Sequence, residues 1–477
     1  MTILVGVDQG TSGTRAVAFD ADLRPLAESY QAAEVRHPQP GAIEKDADET
    51  VATVQRALAE LTGQLDGDVT VVGLDNEGET VVAWDAETLR PLAPAIVWGS
   101  RQSQEIVDRL AAEGKGERIE QLSGLPLDPY FSATKMRWLV EHVPAVSEAA
   151  ERGRLRMGTL DAYVCARLGG DSRTEPSTAG RTQLQALAAP GQWDPELLEM
   201  HGIEEPWLPV IGRSAGELGT LDGLTLGALL VDQTASLAGH GCIAPGMAKA
   251  TYGTGIFMLQ QAGETAPGDP NGLIPIVAWQ FGERPTYALD GGVFSAGTVI
   301  SWLRDGLGAI ENAAQSEALA LSVQDAGGVA FLPALAGMGA PWWRPDARAV
   351  IAGITAGTER AHIVRAALDS LCFRVRDIVE RLPQPPEVLR VDGGLTANRY
   401  LLQRQADVLG LPVEVAAMPE TTALGAAAAA GIGVGLFAID DLSELTAGGR
   451  RIEPVDAAGG ERDYRVWRRF AEQAAGL

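Results

Sequence analysis

Apolar and polar residues alternate through the opening of the chain. Residues 3–8, 14–20 and 25–35 carry this period-two pattern, which predicts three antiparallel strands. The glycines from Gly10 to Gly13 then mark the tip of the first hairpin. From Asp48 to Leu65 the period lengthens, with Val51, Val54, Leu58 and Leu61 on one face, so this segment predicts an amphipathic helix that Asp48 could cap. Val69 to Leu74 reads as a buried strand that runs into Asp75-Asn76-Glu77-Gly78-Glu79-Thr80. Residues 100–160 read as mostly helical, and 163–230 as helices joined by long Pro- and Gly-bearing loops.

A second strand-rich opening follows at Ala250 to Gln260, with a tight turn at Gly253-Thr254-Gly255, and continues through Val277 to Leu289. Helices are expected at 296–306, 314–323 and 361–382. The strand Val388–Val391 leads into Asp392-Gly393-Gly394, and helices are expected at 398–409 and 423–435. Strands alternating with helices argue for an α/β fold with helices on the sheet faces. The recurrence of a hairpin opening argues for two halves, 1–240 and 241–477, divided near Gly239 to Gly246.

The bulk composition agrees with two globular domains. The chain has 477 residues, 46% of them hydrophobic. Its formal net charge of −25 opposes nucleic acid and anionic membranes as partners. Three cysteines far apart suit a disulfide-free protein of a reducing compartment. The opening residues lack a secretory pattern, so a soluble cytoplasmic protein is expected.

Candidate chemistry gathers at the turns. In Asp8-Gln9-Gly10-Thr11-Ser12-Gly13-Thr14-Arg15, a carboxylate at a strand end could hold a cation, and the glycines allow N–H groups to approach a phosphate. Taken alone, an ordinary hairpin turn is the simpler reading. Thr251-Tyr252-Gly253-Thr254-Gly255 has the same two readings. The run from Asp392 to Asn398 favours nucleotide binding more, because paired glycines clear space and a helix N-terminus favours phosphate. Asp232-Gln233 ends the apolar run Leu226 to Val231, where Asp232 could be a general base; locally, a helix cap is the simpler reading. Trp98, Tyr130 and the segment Asn76-Glu77-Gly78-Glu79-Thr80 could together line a pocket for a polyhydroxylated molecule, although singly each reads more simply as a surface turn or core aromatic. The five histidines show no ligand spacing.

Taken together, these segments resemble the FGGY carbohydrate kinases, and within them the glycerol kinases. The resemblance runs nearly end to end. It is carried by Asp8-Gln9-Gly10-Thr11, Gly124-Leu125-Pro126-Leu127-Asp128-Pro129-Tyr130-Phe131-Ser132-Ala133-Thr134-Lys135, Pro245 to Gly255, Tyr287-Ala288-Leu289, Gly339-Ala340-Pro341-Trp342 and Glu420-Thr421-Thr422-Ala423-Leu424-Gly425. It implies two ribonuclease-H-like domains, as in actin-like ATPases, facing across a cleft. It implies ATP-dependent phosphorylation of a terminal hydroxyl on a small polyol or sugar, and an assembly of two or four identical chains. By the same resemblance, Asp8 would help hold Mg²⁺. Thr11, Ser12, Arg15, Thr254, Gly297, Gly394 and Asn398 would face ATP. Asp232 would be the catalytic base, with Gly78, Glu79, Trp98, Tyr130, Gln233 and Phe257 around the acceptor.

The departures fall at the acceptor end. Glycerol kinases carry Asn-Gln-Arg-Glu-Thr where this chain has Asn76-Glu77-Gly78-Glu79-Thr80. Replacing that arginine with Gly78 removes a fork of donors and is expected to leave an arginine-sized space. Losing a donor to a specific hydroxyl costs on the order of 1–3 kcal/mol. On this reading the pocket could take a longer polyol or a ketopentose such as erythritol, xylitol, ribulose or xylulose. A non-catalytic, nucleotide-binding sensor on the same fold is the remote alternative. The stretch Gly216 to Leu230 also lacks the Gly-Gly-Thr-Arg loop that binds fructose 1,6-bisphosphate in some glycerol kinases.

Overall fold

The computed structural model describes residues 2–476. The expected opening hairpin forms as strands Leu4–Gly10, Gly13–Phe19 and Pro25–Ala32, paired antiparallel with Asp8 opposite Arg15. The sheet grows on the other side by parallel pairing. Leu4–Gly10 runs beside Val71–Asn76, which runs beside Leu224–Val231, and Thr220–Leu221 closes the edge. Burial on both faces explains why the parallel strands read as continuous apolar runs.

A seven-stranded sheet repeats the scheme in the second half. Ile274–Trp279, Thr286–Val293, Ile256–Gly263 and Ala248–Tyr252 pair antiparallel, and Leu389–Asp392 then joins Ala248–Tyr252 in parallel. The expected strand 277–289 is therefore two strands, broken by the turn after Trp279. Thr251 stands opposite Asp392 here as Asp8 stands opposite Asp75 in the first sheet.

Local chemistry sets several boundaries. Helix Ala47–Thr62 is capped by Asp46, whose carboxylate accepts from the Asp48 and Glu49 N–H groups, so the cap lies two residues before the one expected. Asp48 instead accepts from the Tyr163 hydroxyl at 2.9 Å. Segment 100–160 forms four helices but ends in strand Leu155–Thr159, which pairs with Val81–Asp85 in a separate five-stranded sheet.

One helix crosses between the halves. Thr421–Gly433 packs on the first sheet, not the second. Its Ala423 and Ala426 backbones lie against Gly6 and Gly73, where a Cβ atom would fall 1.8 and 2.0 Å from carbonyl oxygens. Gly425 and Gly239 bring the same helix onto helix Asp232–Gly239 in equal proximity. A cut at 240 that gives all of 241–477 to the second half misses this return. Among the described residues, no helix is long and apolar enough to cross a membrane, and the three cysteines are free and buried.

Candidate active site

Three parallel strands of the first sheet carry a carboxylate within two residues of their C-terminal ends or just beyond them. Asp8 lies beside Asp75, and Asp232 follows Val231, the register partner of Asn76. Burial raises the Asp8 carboxyl above its usual range. It raises Asp75 further, helped by the charges of Asp8 and Asp232, and neither Asp75 oxygen has a hydrogen-bond partner. Among the described residues, no group of three or more His, Cys, Asp or Glu is arranged to hold a metal ion.

Asp232 is the first residue of helix Asp232–Gly239 rather than its cap, a position that belongs to Val231. One carboxylate oxygen accepts from the Gln233 N–H at 2.6 Å. Burial, then the charge of Glu79, pushes its pKa up to about 7, which keeps it an available base near neutrality. Gln233 in turn accepts from Lys249 of the second sheet at 2.7 Å.

Asp232 opens on a cavity of about 150 Å³ that also exposes Thr11, Trp98, Tyr130, Arg181 and Phe257. The Trp98 indole N–H donates to the Thr11 hydroxyl at 2.9 Å, and that hydroxyl donates to Glu77 at 2.7 Å. Thr11 is therefore held in the wall of this cavity, with its hydroxyl committed to Trp98 and Glu77. Trp98 and Tyr130 meet edge to face at 5.6 Å. Lys45 forms a buried ion pair with Glu77, both side chains being almost fully enclosed. Removing Lys45 alone would leave Glu77 uncompensated. Lys45→Met is expected to lower stability by about 3 kcal/mol, with Lys45→Met/Glu77→Gln recovering most of it; urea unfolding checks both.

The space expected beside Gly78 is not there. Gly78 has φ of 65°, and a Cβ atom on it would fall 2.6 Å from Val231 Cγ2 and 3.4 Å from Arg181 Cδ. The Arg181 side chain occupies the neighbouring volume. Its guanidinium donates to Glu79 at 2.8 Å and to Asp290, on the second sheet, at 2.7 Å. Neither Arg181 nor Asp290 stands out in the sequence. Arg181 lies in the stretch 163–230, expected as helices joined by long loops, and Asp290 directly follows the matched Tyr287-Ala288-Leu289.

The residues expected at ATP are more dispersed. Ser12 is exposed at the hairpin tip. Arg15 pairs with Glu28 at 3.0 Å and stacks over Tyr30. Thr254 is exposed in its turn, and its carbonyl accepts from the N–H groups of Ala296 and Thr298, which brings Gly297 alongside. Gly394 faces open space, whereas the Asn398 side chain caps helix Arg399–Leu409 and donates to Ser316. Asp392 turns inward, accepts from Ser236 and Thr421, and lies 3.2 Å from His240 Nε2.

Comparison with known proteins bears on this cleft. Residues 3–231 match the N-terminal domain of the FGGY family of carbohydrate kinases, and residues 248–434 match its C-terminal domain. A glycerol kinase of Symbiobacterium thermophilum is 42% identical over 99% of this chain and 98% of its own length. One from Ralstonia nicotianae is 43% identical over 92% of this chain and 91% of its own. The crystal structure of Plasmodium falciparum glycerol kinase with ADP superposes with a TM-score of 0.93 at 29% identity, covering 99% of this chain and 98% of that one. With both family domains matched in order across the two sheets that frame the cleft, the chain belongs to the FGGY family of carbohydrate kinases.

Proposed function

We propose that this protein transfers the γ-phosphoryl group of ATP to a terminal hydroxyl of a small neutral polyol, with glycerol the preferred acceptor. The observation that carries the reading is Asp232, a buried carboxylate held near neutrality at the edge of a small cavity that presents both aromatic faces and polar groups. A cavity of about 150 Å³ is the size that takes a molecule of six heavy atoms such as benzene, and glycerol has six. Glu77, Glu79 and Asp290 add to the acidity of the wall, which disfavours acceptors that carry a carboxylate or phosphate. The longer-polyol reading rested on an empty space beside Gly78, and the Arg181 side chain fills it.

Asp232 orients the acceptor hydroxyl and takes its proton as the oxygen attacks the γ-phosphorus, and ADP leaves with the bridging oxygen. Trp98, Tyr130 and Phe257 pack on the acceptor's C–H faces and keep water out. Gln233, whose side chain accepts from Lys249, donates its backbone N–H to the Asp232 carboxylate and so helps to orient it. The exposed turn at Thr254 and Gly297, the open ground at Gly394, and Ser12 and Arg15 at the opposite hairpin would flank the nucleotide. Asn398 would serve through the helix it caps. The paired carboxylates Asp8 and Asp75, one with orphaned oxygens, fit Mg²⁺ held through Asp8 and the nucleotide phosphates. Such an ion would neutralise charge on the transferring phosphoryl group.

ADP release measured over glycerol, erythritol, xylitol, ribulose, xylulose and glycerate tests the assignment. Glycerol should give the highest kcat/KM, and a ketopentose in that place would overturn it. Because Asp232 must be ionised to act and its pKa is raised to about 7, kcat/KM should fall tenfold per pH unit below about 7 and level off above it. A flat profile from pH 5.5 to 8 would remove Asp232 from the base role.

A further inference from the structure

We infer that Arg181 is a specificity-determining residue of the acceptor pocket, and that its Nε–H is a hydrogen-bond donor to a non-reacting hydroxyl of the acceptor. This rests on the polyol kinase reading above. The inference starts from an imbalance in the guanidinium's partners. One terminal nitrogen of Arg181 serves Glu79 and the other serves Asp290, yet Nε is buried with no partner at all. Buried N–H groups are paired in the great majority of cases, so an orphan beside a cavity points to a missing partner. Arg181 lines the cavity together with Asp232, so the partner we infer is an acceptor hydroxyl that seats against the guanidinium from that side.

The surroundings fix the donor firmly. Glu175 caps helix Pro176–Gly180 by accepting from the Ser177 and Thr178 N–H groups, and Arg181 ends that helix with its N–H on the Thr178 carbonyl. Its side chain then passes Gly78, where any Cβ atom would crowd Val231 and press on Arg181 Cδ. The two carboxylates hold the guanidinium plane from opposite halves of the protein. A planar group fixed in this way loses little freedom when it binds a hydroxyl. Its two charge partners are already satisfied, so it offers one neutral-acceptor donor rather than a free cation, which suits a hydroxyl better than an anion.

The test is a cycle between protein and acceptor. Wild type, Arg181→Lys and Arg181→Gln are assayed with glycerol, propane-1,2-diol and propane-1,3-diol, each diol lacking one glycerol hydroxyl. Wild type should prefer glycerol to the poorer diol by at least about 30-fold, within the range expected for losing one hydroxyl at a site built to bind it. Arg181→Gln should raise the KM for glycerol by at least about tenfold and reduce that preference to a few-fold, leaving the KM for ATP within about twofold. Arg181→Lys keeps the charge but not the fork, and should behave like the Gln variant. If either variant keeps the wild-type preference, Arg181 only braces the wall and the inference fails. Should both variants fail to fold, a crystal structure of wild type with glycerol decides. An Nε-to-hydroxyl distance within about 3.2 Å supports the inference, and an Nε still without a partner overturns it. A wild type inert toward glycerol counts against the proposed acceptor alone, and the same cycle on whichever polyol is turned over, with its deoxy analogues, still reads Arg181.

Discussion

Asp232→Asn is expected to cut kcat by about 10³-fold, while the KM for the acceptor changes little. The amide keeps the shape and the acceptor oxygen that the Gln233 N–H uses, so the pocket persists. What it loses is the ability to take a proton as the acceptor oxygen attacks, and positioned general bases contribute about 10²–10⁴-fold. The same change should stabilise the fold, and the sign follows from linkage. In the unfolded chain the carboxyl has its ordinary pKa of 3.8, and in the folded protein burial pushes it up to about 7. The folded state therefore binds the proton more tightly, so stability falls as pH rises from about 4 to 7 and stays low above that. Asparagine carries no such cost. Its melting temperature should exceed wild type at pH 8 and match it near pH 4. A single-turnover assay with thermal unfolding at both pH values checks the pair of effects. Turnover within tenfold of wild type would require another base.

Gly425→Ala is expected to have the largest effect on stability, above about 4 kcal/mol, enough to leave little folded protein. A Cβ atom there would lie 1.8 Å from the Ala235 carbonyl oxygen and 2.8 Å from the Gly239 nitrogen, and both are backbone atoms of helix Asp232–Gly239. No side-chain rotation relieves that overlap, so the helices must move apart. Overpacking typically costs about 1–3 kcal/mol where neighbours can yield, and domains hold only about 5–15 kcal/mol in total. Separation would also shift Asp232, which starts the displaced helix, so any folded fraction should be slow. Urea unfolding and expression yield test this. Gly282→Ala is the control, because nothing lies within 4 Å of its Cβ position and its backbone is not left-handed. Equal stability of both variants would mean that the two helices are not in backbone contact.

The parts of this molecule that were legible in its sequence are those set by neighbours in the chain. The opening hairpin, helix Arg399–Leu409 and the strand before Asp392 follow local periodicity and turn chemistry, and they formed within a few residues of expectation. Boundaries slipped where two carboxylates competed for one role, as with Asp46 and Asp48 at the first helix. Strand Leu155–Thr159 was missed because five residues after four helices carry no distinct period, and its identity comes from pairing with Val81–Asp85. Gly78 marks a missing side chain but not a void. The chain reaches that volume from Arg181, a hundred residues onward, held by Asp290 at a similar distance again. Packing between remote segments decided what filled the space, and no local pattern encodes it.

The helix Thr421–Gly433 bears on how the protein is made. Its seat is the glycine-lined face of strands Leu4–Gly10 and Val71–Asn76, which leave the ribosome early. The helix itself is synthesised roughly 190 residues after strand Leu224–Val231, a delay of about 10–40 s at about 5–20 residues per second. Throughout that interval the first sheet is complete in sequence but bare on one face. Domains in general fold one after another as they emerge, N-terminal first. Here the order is closed by a late segment returning to an early one, so neither half of the cleft is finished until nearly the whole chain has been translated.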